Sequence, residues 1–144
     1  MLEMGNIVEE QISEEIKSRI EADKKLAEKV IRRDEEVNDH EIDIDEDCTL
    51  LIGKRSPVAE DLRNVLMMIK IIGDLERIGD ESTKIANATI RIIENDIMSK
   101  PQFKNINSML SSVQLMLRQA LNSFARLDTT ETIEVLEKDK EVDE

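Results

Sequence analysis

Two pairs of oxygen-bearing side chains stand out by their spacing: Asp34 with Asn38, and Glu76 with Asp80. On an α-helix, a four-residue step places both members on one face, one turn apart. Each pair lies in or beside an apolar seam. The row Val30, Val37, Ile44 and Leu51 has a companion row of Asp34, Glu41 and Cys48, and Glu76 interrupts the row Leu62, Ile69, Thr83 and Ile90. Burying a carboxylate without a partner is costly, and such a group tends to take up a proton instead. Two helices that share a cation relieve that cost. Asp34 and Asn38 facing Glu76 and Asp80 would therefore make an oxygen-rich site for a metal ion or small cluster. The competing reading puts the acids at the edge of the seam, solvated or paired with Arg32, Arg63 or Arg77.

Other chemistries fail on residue type. The run from Asp43 to Cys48 imitates the start of a calcium loop but lacks a glycine at its sixth position. A di-iron bundle needs Glu three residues before His, and the residue three before the single His40 is Val37. Cys48 is the single cysteine and has no histidine arrangement to activate it, so it reads as a small core residue. With no phosphate-binding glycine loop and no serine triad, the chain is not expected to be an enzyme.

Long helices must position these acids. Apolar residues recur at three- and four-residue steps almost throughout. The first helix carries Val8, Ile12, Ile16 and Ile20 and fades at Glu21–Ala22, after which Asp23 caps a second helix reaching about Gly53. Ser56–Pro57 reads as an N-cap followed by proline at the first helical position, opening a third helix to about Met98. Lys100–Pro101 ends it. A fourth helix bears Ile106, Leu110, Val113, Leu117, Phe124 and Leu127, and the capping-box spacing from Asp128 to Glu131 opens a fifth.

Composition agrees with this reading. Of the 144 residues, 42 are Ile, Leu, Val or Phe, above the roughly 20% floor for a foldable charged chain. Four Gly and two Pro cannot supply the turns that many short strands need. A net charge of −13 with no basic segment argues against a nucleic-acid partner, and none is expected. One cysteine fits a reducing compartment, and no apolar run approaches the ~20 residues of a membrane span. A cytoplasmic protein without membrane insertion is expected. A shift of 105 maps Val8 onto Val113, Asp23 onto Asp128, Asp34 onto Asp139, and Glu36-Val37-Asn38 onto Glu141-Val142-Asp143. The expected fold is thus all-α, with an antiparallel three-helix bundle repeat over residues 1–98. An incomplete second repeat follows over 102–144, as in a fragment of a longer two-repeat protein.

The stretch Lys54-Arg55-Ser56-Pro57-Val58-Ala59-Glu60-Asp61-Leu62-Arg63, followed by Asp74-Leu75-Glu76-Arg77-Ile78-Gly79-Asp80, resembles the PhoU family of phosphate-transport regulators. The upstream Arg33-Asp34-Glu35-Glu36-Val37-Asn38 with Glu41 is similar to that family's second-helix motif. The resemblance implies tandem three-helix bundles bearing E/D-x-x-x-D motifs that hold multinuclear iron or zinc clusters. Carried over, the metal-ligating residues are Asp34, Asn38, Glu76 and Asp80, with Asp139 and Asp143 in the second repeat. Asn38 departs from the motif, removing one charge and one strong ligand. The implied role is a cytoplasmic negative regulator of phosphate uptake and of the phosphate-starvation response. Its implied partners are the ATPase subunit of the phosphate ABC transporter, a sensor histidine kinase and a second copy of itself in a homodimer. Beside this stand two other readings of the residues: a metal-binding or metal-storage bundle, and a plain helical interaction module.

Overall fold

The structure is a computed structural model that describes residues 1–96, 102–126 and 130–143, with the side chains of 102–104 and 130–134 left aside. Five helices make it up: α1 (Leu2–Glu21), α2 (Lys24–Arg55), α3 (Glu60–Glu94), α4 (Gln102–Arg126) and α5 (Thr130–Asp143). No strand occurs among the described residues.

Local chemistry sets the helix ends. Ala22 adopts a left-handed conformation that closes α1, and Asp23 follows in extended geometry, its carboxylate accepting the Leu26 N–H at 3.1 Å. This is the cap read from the sequence. The α2–α3 corner differs from expectation. Ser56 does not open α3; it closes α2 with φ 43° and ψ 57°, its N–H donating to the Ile52 carbonyl. Helix α2 therefore runs on through Lys54 and Arg55, whose cations suit the negative end of the helix dipole. Helix α3 starts at Glu60, after Ala59, with Pro57 in the connection. It ends at Glu94, and Met98 lies outside the described residues, as do Asp128 and Thr129 of the expected fifth-helix cap.

Helices α1, α2 and α3 run up, down and up. Ion pairs from Glu14 to Lys29 and Arg33, and from Glu10 to Arg33, join α1 to α2, while Lys24 pairs with Glu94 across α2 and α3. The exposed pair of Lys24 with Glu94 is worth about 0–1 kcal/mol and fixes register more than stability, while Arg33 and Glu14 meet largely covered. The main core joins Met4, Val8 and Ile12 of α1 to Val37 of α2, Ile72 and Leu75 of α3, and Leu117 and Leu121 of α4. A second cluster, Ala27, Val30 and Ala86, closes the far end between α2 and α3. Helix α4 lies antiparallel on α1: Leu121 sits against Gly5, and Arg118 pairs with Glu9. Helix α5 packs on α4.

The first stripe turned more than expected. Ile16 is half-buried and Ile20 is 64% exposed, whereas Gln11, Glu15, Ser18 and Arg19 are buried. A strict four-residue step drifts about 40° per step against the 3.6-residue turn, so three steps swing Ile20 about 120° away from Val8. Glu15, Ser18 and Arg19 bond to one another and to Thr89, although Arg19 Nε is left without a partner. Arg19 donates to Glu15 Oε1 at 3.2 Å and to Thr89 Oγ1 at 3.0 Å, Thr89 Oγ1 donates to Glu15 Oε1 at 2.7 Å, and Ser18 Oγ donates to the Glu15 carbonyl at 2.9 Å. This network locks α1 to α3 at a single register.

Candidate functional site

The site lies where α2 and α3 cross the level of Gln11. Asp34 and Asn38 come from α2, one turn apart, and Glu76 and Asp80 come from α3 in the same relation. All four are half-buried. They stand at the rim of the seam rather than within it, because the core face of α3 is formed by Ile72, Leu75, Gly79, Ser82, Ala86 and Thr89. The row Leu62, Ile69, Glu76, Thr83 and Ile90 is half-buried along its whole length, displaced around the helix from that core face.

The acids nevertheless sense each other. Loss of hydration, then the nearby Asp80 charge, push the Asp34 carboxyl above its ordinary value, against the influence of Gln11 and Thr83. Desolvation also raises Glu76, followed by the charges of Asp80, Glu41 and Asp34, with Arg77 opposing. Four carboxylates thus lie within electrostatic reach, and Glu41, left in the companion row by the sequence, belongs to the group. Arg77 turns outward to Asp74 and is exposed, so it does not neutralise the site. On its outer side, Asp80 borders a shallow cleft with Asp74, Arg77, Glu81 and Lys84, facing Val113 of α4.

On the inner side, three oxygens lack hydrogen-bond partners: Asp34 Oδ1, Gln11 Oε1 and Thr83 Oγ1. Gln11 is fully buried, and its amide nitrogen donates to the Val30 carbonyl at 3.3 Å. Gly79 leaves room for this cluster, since a Cβ there would lie 3.1 Å from Asp34 Oδ1 and 3.2 Å from Gln11 Oε1. The donor set is all oxygen, which suits a hard cation. Among the described residues, however, no three His, Cys, Asp or Glu side chains stand close enough together to hold one ion. Asp139 and Asp143 are exposed on α5, far along the chain from the first pair. Gln11 and Thr83 were not read as site residues. A trace of Gln11 was present: it stands three residues after Val8, on the face where the core lies.

The raised carboxyls have a consequence for pH. In chelator-treated solution, the native state binds more protons than the unfolded chain between the ordinary values, 3.8 for Asp34 and 4.5 for Glu76, and their raised native values. Stability contributed by these groups therefore increases as pH falls through the raised values and is lost as pH rises through them. Urea unfolding across a pH series should show this slope for the wild type and a shallower one for Asp34→Asn. An unchanged slope would mean that Asp34 is not strained when ionised.

Fold and site together define an all-helical bundle with an acid-bordered seam. The PhoU domain model matches residues 1–89. The chain is 39% identical over 143 residues to the phosphate-specific transport system accessory protein PhoU homolog of Pseudomonas putida, covering 99% of this chain and 56% of that protein. It is 37% identical over 144 residues to the phosphate-specific transport system accessory protein PhoU of Escherichia coli (strain K12), covering 100% of this chain and 59% of that one. The crystal structure of PhoU from Pseudomonas aeruginosa superposes with a TM-score of 0.93 at 38% identity, over 99% of this chain and 68% of that one. The chain belongs to the PhoU family. It spans a little over half the length of the curated relatives it matches.

Proposed function

We propose that this chain acts in the regulation of phosphate uptake, as a negative regulator that bridges the ATPase subunit of a phosphate ABC transporter and a sensor histidine kinase on the cytoplasmic side. The observation that carries this reading is the similarity along the whole chain to proteins named as accessory to the phosphate-specific transport system. The bundle also suits a binding role. Its candidate site gathers carboxylates, and its single thiol, Cys48, is buried with its pKa pushed up by desolvation and the nearby acids. That is the environment of a packing residue, not a nucleophile. No helix among the described residues is long and apolar enough to cross a membrane, in keeping with a partner that docks on a membrane assembly.

The mechanism is a bias on conformational states. The regulator shifts the transporter–kinase assembly only by binding one state more tightly than another. Metal ions, iron or zinc, held by Asp34, Asn38, Glu76 and Asp80 would neutralise the acid rim and so change what the α2–α3 face can dock against. Asp139 and Asp143 would serve a second site, and a homodimer would present two such faces. Two measurements test the reading. In low salt, the chain is expected to pull down the transporter ATPase subunit or the kinase, and capture of neither overturns the adaptor role. Elemental analysis after gentle purification is expected to show less metal in Glu76→Ala and Asp80→Ala than in the wild type. Equal content removes the metal from the proposal.

A further inference from the structure

Helices α1, α2 and α3 each bring one oxygen to the interior of the bundle: Gln11 Oε1, Asp34 Oδ1 and Thr83 Oγ1. All three atoms are buried, and none has a hydrogen-bond partner among the described residues. Gln11 is buried over its whole side chain, so its carbonyl oxygen is cut off from bulk solvent. Gly79 forms the wall beside two of these oxygens. A Cβ there would stand 3.1 Å from Asp34 Oδ1 and 3.2 Å from Gln11 Oε1, and Thr83 follows one turn later on α3. Gln11 and Thr83 both come near enough to act on the Asp34 carboxyl.

The charge of Asp34 is not answered by a side chain. Arg33, its neighbour on α2, pairs with Glu10 and Glu14 of α1, while Arg77 turns to Asp74 and Lys84 to Glu81. Asp34 enters no ion pair among the described residues. Asp80 adds a like charge beside it, and Glu76 lies within reach of Asp80, Glu41 and Asp34. A single water would satisfy two acceptors and a hydroxyl, but it carries no charge. A cation answers the oxygens and the field together. The set offers one formal charge through a carboxylate, an amide oxygen and a hydroxyl, which matches a monovalent ion. Magnesium sheds its water reluctantly, and calcium takes about six to eight oxygens and gains affinity with ligand charge. Neither suits a small, singly charged set shut inside a bundle.

We propose that Gln11 Oε1, Asp34 Oδ1 and Thr83 Oγ1 form an interior site for one monovalent cation, sodium, which ties α1 to the α2–α3 pair. The ion fixes the rotation of α1 against both helices and relieves the repulsion between Asp34 and Asp80. It is separate from the iron or zinc proposed for the rim, because Gln11 and Thr83 lie outside the two i, i+4 pairs and Asp34 contributes its buried oxygen. It rests neither on that metal nor on the regulatory role.

The test is urea unfolding of the chelator-treated chain in sodium chloride and in choline chloride at equal ionic strength, choline being too large to enter. The folding equilibrium constant is expected to be ~10-fold higher in ~0.1 M sodium chloride and to saturate with sodium concentration. The native chain should also broaden the sodium NMR line. Thr83→Val should remove most of the sodium increment while changing stability little in choline chloride, since the hydroxyl it deletes has no protein partner. Gln11→Met provides a second variant; it should lose the increment too, on top of the lost bond to the Val30 carbonyl. Glu76→Ala should keep the increment. Equal stability in the two salts overturns the proposal and assigns the oxygens to water. So does an increment that survives in both Thr83→Val and Gln11→Met, or that vanishes only in Glu76→Ala, which moves the ion to the rim. A larger response to calcium than to sodium overturns the monovalent assignment. Iron or zinc content is expected to be equal in Thr83→Val and wild type, and its loss in that variant would merge the two sites and overturn the proposal. A sodium response in protein that holds no iron or zinc supports the interior site and removes the rim metal alone.

Discussion

Arg19→Met is expected to lower the unfolding free energy by about 3–5 kcal/mol, the usual penalty for leaving one member of a buried ion pair alone. Arg19 and Glu15 are both buried, and Arg19 donates both to Glu15 and to Thr89, on α3. Without the guanidinium, the Glu15 carboxylate keeps a hydrogen bond from Thr89 but has no counter-charge. A buried carboxylate without a partner is costly. The double variant Glu15→Leu with Arg19→Met removes both charges and should recover most of the loss, because a well-packed apolar pair replaces a buried ion pair at little cost. Urea midpoints for the wild type, each single variant and the double variant measure this. A loss below about 1 kcal/mol for Arg19→Met would show that water reaches the pair and that the network does not hold α1 on α3.

Gly5→Val is expected to cost about 1–3 kcal/mol and to act mainly on the α1–α4 contact. A Cβ at Gly5 would lie 2.7 and 2.8 Å from the two methyl carbons of Leu121, closer than real carbons approach. Leu121 is buried in the core it shares with Met4 and Val8, so its side chain has little space to retreat. The stress should fall on α4, and hydrogen exchange should rise in α4 and α5 before it rises in α2 or α3. Leu121→Ala opens the space that valine needs, so the pair Gly5→Val and Leu121→Ala should cost less than the sum of the two singles. Strict additivity would mean that the contact does not limit the approach of α4.

Much of this fold was legible because helical periodicity and caps are local. The seven-residue row through Val30 and Val37, the Asp23 cap, the Leu110–Leu117 face of α4 and the burial of Cys48 all follow from residues within a few turns of each other. Ser56–Pro57 misled for a reason that is also local. A serine before proline has the form of an N-cap, but here its backbone N–H is taken by the preceding helix, which displaces the start of α3 to Glu60. The candidate site was half legible. The i, i+4 steps placed Asp34 with Asn38 and Glu76 with Asp80 one turn apart, since spacing within a helix fixes which side chains share a face. Nothing in spacing announces that Gln11 of α1 and Thr83 of α3 leave their oxygens beside Asp34, because that meeting depends on how three helices are rotated and slid against one another.

The sequence by itself determined the helices, their approximate ends, the excess of acid and the two carboxylate-bearing steps, since each depends on one residue and its near neighbours. Only the tertiary structure decided how far each face turns inward. It moved Ile20 into solvent and Glu15 and Arg19 into the core, and set the acids at the rim of the seam rather than inside it. The physical reason is that burial belongs to pairs of surfaces. A helix specifies its own stripe, but which part of that stripe is covered depends on the length, rotation and register of the helices that meet it.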